Sequence, residues 1–222
     1  MTTTSSRNKK KRRPASRSRS RSRRARRNNG MFIWIFLGVL VVLFGAIAVA
    51  SRSGVGTVDI TNAQVSGGTL QPLGDGADAA VGQPAPEISG TGIDGEPLTI
   101  EPGDGTPKAI AFLAHWCPHC QREVPVVVDW MDEGNLPEGV EVIGVATGID
   151  RNRPNFPPHN WFERENWDVP TVVDGDSSAA RAYGLSNYPY WVLVDGDGNV
   201  VQRWAGETTP QQLDERIGQL AQ

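Results

Sequence analysis

The residues best suited to chemistry are Cys117 and Cys120, the only cysteines in 222 residues, set in Trp116-Cys117-Pro118-His119-Cys120. They follow an apolar run, Ala109 to Ala114. A C-x-x-C pair at a strand-to-helix turn suits thiol–disulfide exchange. The first sulfur sits where free N–H groups and the helix dipole favour negative charge. It attacks a partner disulfide, and the second cysteine, one turn along, resolves the mixed disulfide. This chemistry needs no metal and no cofactor. A zinc site needs four ligands, usually with a second pair at fixed spacing, and the chain has no second cysteine pair. His115 and His119 lie beside the cysteines, so a copper chaperone or metal-binding module using Cys117, Cys120 and a His is the alternative. A purely structural disulfide would leave an inert adaptor.

The elements around the pair alternate between strand and helix signals. Glu87 to Ile100 reads as a hairpin around Gly92-Ile93-Asp94-Gly95. Lys108 to Ala114 and Val140 to Ala146 read as buried central strands. Between them a helix runs from Pro118 to about Met131, with Pro118 in its first turn and Pro125 inside it. Ile149 to Trp167 is an irregular insertion holding Pro154, Pro157 and Pro158, with a short helix expected around Trp161 to Glu165. A brief strand at Thr171 to Val173 and a short helix from Ser177 to Tyr183, closed by Gly184, follow. Tyr190 to Val194 and Asn199 to Ala205 form a hairpin across Asp195-Gly196-Asp197-Gly198. In the last helix Thr209 caps, Pro210 starts and Gln212 completes a capping box. Leu213, Ile217 and Leu220 line its apolar face. The order implies an α/β domain, a mixed sheet covered by helices.

Upstream the composition changes abruptly. Residues 1–30 carry thirteen Lys or Arg and no acid, a block that cannot collapse into a core and reads as a basic disordered tail. Arg-Ser alternation at Arg17 to Arg23 hints at RNA binding, but the next segment outweighs it. Met31 to Ala50 is twenty uncharged, mostly apolar residues, about 30 Å as a helix, the thickness of a bilayer core. It reads as one transmembrane helix, lying in the lipid bilayer, with the basic tail cytoplasmic and the remainder extracytoplasmic at the cell membrane. Ala48-Val49-Ala50 resembles a signal-peptidase site, yet the apolar region exceeds the usual 7–15 residues of a signal peptide, which favours an uncleaved anchor. Residues 51–80, rich in Gly, Ser, Asp and Ala, read as a flexible linker. Residues 81–222 are long enough for one domain with a core. Past residue 50 lie nine of the 22 basic residues but all 25 acidic ones. So acidic a domain argues against nucleic acid as a partner.

With these motifs in view, the chain resembles the thioredoxin fold, specifically its membrane-anchored TlpA/ResA-like branch. Trp116-Cys117-x-x-Cys120-x-x-Glu123-x-Pro125 matches that branch's W-C-x-x-C-x-x-E-x-P pattern. The run from Val172 through Ala182-Tyr183-Gly184 to Tyr188-Pro189, and the turn Asp195 to Gly198, match later family features. The resemblance covers about residues 81–222. It implies Cys117 as nucleophile, Cys120 as resolving thiol and Pro189 as a cis-proline facing them, with Tyr188 offering backbone groups to an extended substrate. It further implies Glu123 as the proton-moving acid and Trp116 as a shield. On its own, Pro189 reads as a strand-entry proline and Glu123 as a solvated helix carboxylate.

The implied function is exchange of disulfides with exported protein thiols or disulfides, served by a membrane redox partner. Two departures stand out, the first leaving the direction open and the second bearing on the substrate groove. Pro118-His119 is the dipeptide of DsbA-like oxidases inside a frame shared with many reductants, and Tyr190 stands where Thr commonly follows the cis-proline. A charge or hydrogen bond from His119 would stabilise the Cys117 thiolate and tip the pair towards disulfide donation. A peroxiredoxin-like peroxidase is disfavoured, since Ala114 and Ile110 occupy its required Thr or Ser and Pro positions.

Overall fold

The computed structural model describes residues 60–221. The expected basic tail, the transmembrane segment 31–50 and residues 51–59 of the linker lie outside the described residues. Among the described residues no helix is long and apolar enough to cross a membrane.

In order, the elements are β1 (Gln64–Ser66), β2 (Glu87–Thr91), β3 (Pro97–Ile100), β4 (Lys108–Leu113), α1 (Pro118–Asp132) and β5 (Glu141–Ala146). They continue as α2 (Pro158–Arg164), β6 (Thr171–Val173), α3 (Ser178–Ala182), β7 (Tyr190–Val194), β8 (Val200–Ala205) and α4 (Pro210–Ile217), closed by a 3-10 turn at Gly218–Ala221. Five strands form a mixed sheet in the order β6-β5-β4-β7-β8. β4, β5 and β6 are parallel, and β7 and β8 continue the sheet antiparallel. The expected α/β architecture with a thioredoxin-like sheet is present.

The unbroken apolar run of β4 follows from its central position. Every residue of it is buried, and alternate side chains enter opposite cores. Ala109, Ala111 and Leu113 face a layer containing Val124, Val127 and Trp130 of α1 and Leu213 and Ile217 of α4. Ile110 and Phe112 face the other layer, with Tyr183, Ala179 and Ala180 around α3 and Ile88 and Ile100 from β2 and β3. α4 has the expected capping box, Thr209 and Gln212 each bonding the other's backbone N–H.

Two expectations need correction. Residues 60–80, assigned to a flexible linker, are instead packed on the domain. β1 pairs antiparallel with β2, Ala63, Leu70 and Ala80 are buried, and the Leu70 N–H donates to the Ala182 carbonyl at 2.8 Å. The Asp78 carboxylate forms an ion pair with the buried Arg203 guanidinium of β8. Backbone pairing, one ion pair and a few scattered apolar anchors hold this strap, so it lacks the hydrophobic period by which a segment is recognised. The short helix of the insertion also begins earlier than expected, at Pro158, where a proline in the first turn is pre-set for helical φ.

Candidate active site

The site is built at the carboxyl end of β4. The chain leaves the strand through Ala114, His115 and Trp116, and Cys117 occupies the N-cap of α1 in an extended conformation (φ −74°, ψ 120°). Pro118 then supplies the first helical φ and has no N–H to leave unpaired. No side chain caps this helix, so its first N–H groups remain free to face the Cys117 sulfur.

Cys117 and Cys120 are both free thiols and both buried. The Cys117 Sγ lies 3.9 Å from the Tyr188 carbonyl oxygen. The Tyr188–Pro189 peptide is cis and Pro189 is buried. The loop before β7 thus lies against the sulfur, as the resemblance implied. Cys120 is fully buried, and loss of hydration pushes its thiol well above the ordinary range; the negative groups nearby add to the rise.

One turn beyond Cys120, Glu123 points inward rather than into water, and only 1% of it is exposed. Neither carboxylate oxygen has a hydrogen-bond partner, and the Trp191 indole N–H beside this pocket is also unpaired. Desolvation is the main cause that raises its pKa to about 7, against smaller lowering influences of Thr208 and Trp191. The solvated-carboxylate reading of Glu123 does not hold, because α1 presents this position to the core.

Trp116 is half-buried and its indole N–H donates to the Gly148 carbonyl at 2.7 Å. Its ring meets Tyr188 edge to face at 6.0 Å. Gly148 has a left-handed φ of 59°, and a Cβ there would come within 2.5 Å of the Tyr188 hydroxyl. A side chain at that position would therefore displace the tyrosine.

His119 is exposed, and its hydrogen bonds run to Glu207 and Arg122 rather than to Cys117. Its Nδ1 lies 2.5 Å from a Glu207 carboxylate oxygen, in the loop following β8. Arg122, one turn along α1, grips the same carboxylate through Nε and a terminal nitrogen. Arg122 foremost, with His119, holds the Glu207 carboxyl below the usual carboxylate range. The other flanking histidine, His115, is buried and has both ring nitrogens occupied. Nδ1 lies 2.7 Å from the Pro154 carbonyl, and Nε2 accepts from the Asp150 N–H at 3.3 Å. This pattern fits the neutral ring, and burial lowers the His115 pKa accordingly. Neither histidine joins the cysteines in a ligand set, and no metal-holding group of three His, Cys, Asp or Glu occurs among the described residues.

Sequence reasoning thus reached the residues of the C-x-x-C frame but missed Gly148, Arg153 and Glu207 as parts of its surround, and the clamping role of His115. Arg153 stacks on the Trp116 ring, its guanidinium carbon 4.3 Å from the ring centre. The one available signal was the insertion itself, which interrupts the βα alternation directly after the second central strand.

Comparison with known proteins agrees with this geometry. The family profile described as Redoxin matches residues 80–217. Among curated proteins the chain is similar to the thiol-disulfide oxidoreductase ResA of Bacillus thuringiensis, 25% identical over 140 residues, covering 63% of this chain and 78% of that one. Among solved structures it is similar to a thiol:disulfide interchange protein of the thioredoxin family from Chlorobium tepidum. That match has a TM-score of 0.54 at 25% identity and covers 66% of this chain and 100% of the other. A putative thiol:disulfide interchange protein DsbE from the same organism shares the fold, with a TM-score of 0.55 at 20% identity over 64% of this chain and 98% of its own.

Proposed function

The chain belongs to the Redoxin family, and from that premise we propose an enzyme that exchanges thiols and disulfides through Cys117 and Cys120. The observation that carries the reading is the approach of Cys117 Sγ to the Tyr188 carbonyl, with an unpartnered acid buried behind the second cysteine. Cys117, at the free end of α1, is the attacking sulfur. An extended client segment pairs with the backbone at Tyr188, beside Pro189, and brings its disulfide to that sulfur.

Attack joins Cys117 to one client sulfur and releases the other as a thiolate, which takes up a proton. Cys120 then displaces the client from Cys117. To do so it must lose a proton in a dry pocket that disfavours its thiolate. Glu123, with a pKa of about 7, can accept that proton near neutrality and return it in the reverse direction. The net change is one client disulfide reduced and the enzyme dithiol oxidised, or the reverse.

The location follows from the part of the chain outside the described residues. Residues 31–50 anchor the protein in the membrane with residues 1–30 cytoplasmic, and 51–59 connect the anchor to the domain. The domain is extracytoplasmic, its clients are exported protein thiols or disulfides, and a membrane redox partner resets it. Two measurements test this. Cys120→Ser should accumulate mixed disulfides with clients while Cys117→Ser does not; the opposite trapping pattern would reverse the assignment. N-terminal sequencing of the mature protein should return a start before residue 31, and a start at Ser51 would remove the anchor.

A further inference from the structure

The insertion that follows β5 carries an arrangement the exchange chemistry leaves unused. Among the described basic residues, Lys108, Arg122, Arg181 and Arg203 each meet a carboxylate. Arg164 is hydrogen-bonded to Asn155 and Asn160, and the half-buried Arg216 lies over Trp204. Arg151 and Arg153 differ. Both are exposed, neither has an ion pair or side-chain hydrogen bond, and each sits over an aromatic ring. Arg153 covers Trp116 at 4.3 Å, and Arg151 covers Phe156 at 5.3 Å. A guanidinium stacked through its face keeps its edge N–H donors free for a carboxylate.

Arg153 covers the residue that adjoins the reacting cysteine, and Arg151 belongs to the same loop. Trp116 directly precedes Cys117 in the chain. His115, one residue earlier, clamps the loop through the Pro154 carbonyl and the Asp150 N–H, and its own carbonyl accepts from Asn155 Nδ2 at 3.1 Å. The Phe156 ring meets the His115 ring edge to face. Within the loop the one negative charge is Asp150, and Glu207, in the loop after β8, is already occupied by Arg122 and His119. In a domain with a large acidic excess, two unpaired guanidiniums at the rim of the active site form a local inversion of charge.

We propose that the Asp150–Phe156 loop is a client-recognition arm whose Arg151 and Arg153 select protein segments with Asp or Glu flanking the reacting cysteine. The proposal rests on the exchange function above. The arm contributes specificity, and the acidic remainder of the domain disfavours docking of acidic segments anywhere but at the arm.

The test uses the reduced full chain in neutral detergent and disulfide-looped peptides identical except for Glu or Lys beside each cysteine. In each reaction the Cys117 and Cys120 thiols become a disulfide as the peptide disulfide becomes two thiols. The Glu-flanked peptide should react about tenfold faster in kcat/KM, with a preference that shrinks as salt rises. The double variant Arg151→Gln/Arg153→Gln should lose most of the preference. Equal rates for the two peptides in the parent, or a preference that survives in the double variant, would overturn the arm. Binding to anionic vesicles that the double variant weakens, without any peptide preference, would assign the guanidiniums to a lipid surface and also overturn it. Absence of exchange with either peptide would instead sink the proposed function.

Discussion

Glu123 and Asp174 are two buried carboxylates, one on the helix after β4 and one directly after β6. Their surroundings are opposite. Asp174 accepts from the Thr147 hydroxyl at 2.8 Å, the Ser178 hydroxyl at 3.2 Å, and the Ala179 and Ala180 N–H groups at 3.1 Å each. It takes over the cap of α3, whose own N-cap residue Ser177 offers no side-chain bond. Glu123 makes no hydrogen bond of normal geometry, and Thr208 and Trp191 offset only part of its desolvation. Burial alone therefore does not mark a functional acid. A carboxylate whose charge is fully answered by donors is a piece of architecture, and one left in a dry pocket holds its proton into the neutral range.

The sharpest way to break this contrast is at Asp174. Asp174→Ala strands a buried hydroxyl and two N–H groups, and should cost about 3–4 kcal/mol in denaturant unfolding. A loss under about 1 kcal/mol would mean that the four bonds do not act together.

The next effect is the pH dependence assigned to Glu123. Its pKa rises from an ordinary 4.5 when unfolded to about 7 when folded. The folded state thus holds a proton that the unfolded state releases. Stability from this group is fully present below about pH 4.5 and is lost as pH rises through about 7, a decline of about 3 kcal/mol. Glu123→Gln, which cannot ionise, should flatten that segment of the stability curve and make the variant firmer than the parent at pH 8. A decline of unchanged size in the variant would place its origin elsewhere.

Smaller again is the kinetic effect of the same variant. Glu123→Gln should slow resolution by Cys120 about tenfold near neutral pH and remove the rate inflection near pH 7. Rates that match the parent from about pH 5 to 9, the span between ordinary carboxylate and thiol pKa values, would leave Glu123 without a proton-transfer role. Last, Thr147→Val removes one donor from Asp174 and should cost about 1–2 kcal/mol, without altering the pH profile of exchange.

How much of this was legible in the chain follows from how far apart the contributing residues lie. The C-x-x-C pair, the β4 run and the helix start at Pro118 are local, so residue type and spacing were enough to place them. The capping box at Thr209 and Gln212 is equally local and stands as expected. The cis peptide before Pro189 came only through the family pattern; nothing in the composition of Tyr188-Pro189-Tyr190 distinguishes it from a strand-entry proline. The strap at 60–80 was misread because its hold depends on β2 and on Arg203, 125 residues from Asp78.

By itself, the sequence determined which atoms can react: two sulfurs at a helix N-terminus, a carboxyl one turn beyond them, and a βα order to carry them. Only the tertiary structure decided how those atoms are conditioned. It buried Glu123 with only weak support from Thr208 and Trp191, turned His119 towards Glu207, and laid the insertion across Trp116 through His115. Covalent order fixes what stands beside what along the chain. The dielectric around a charge, and the donors that answer it, are set by segments that meet only when the sheet closes.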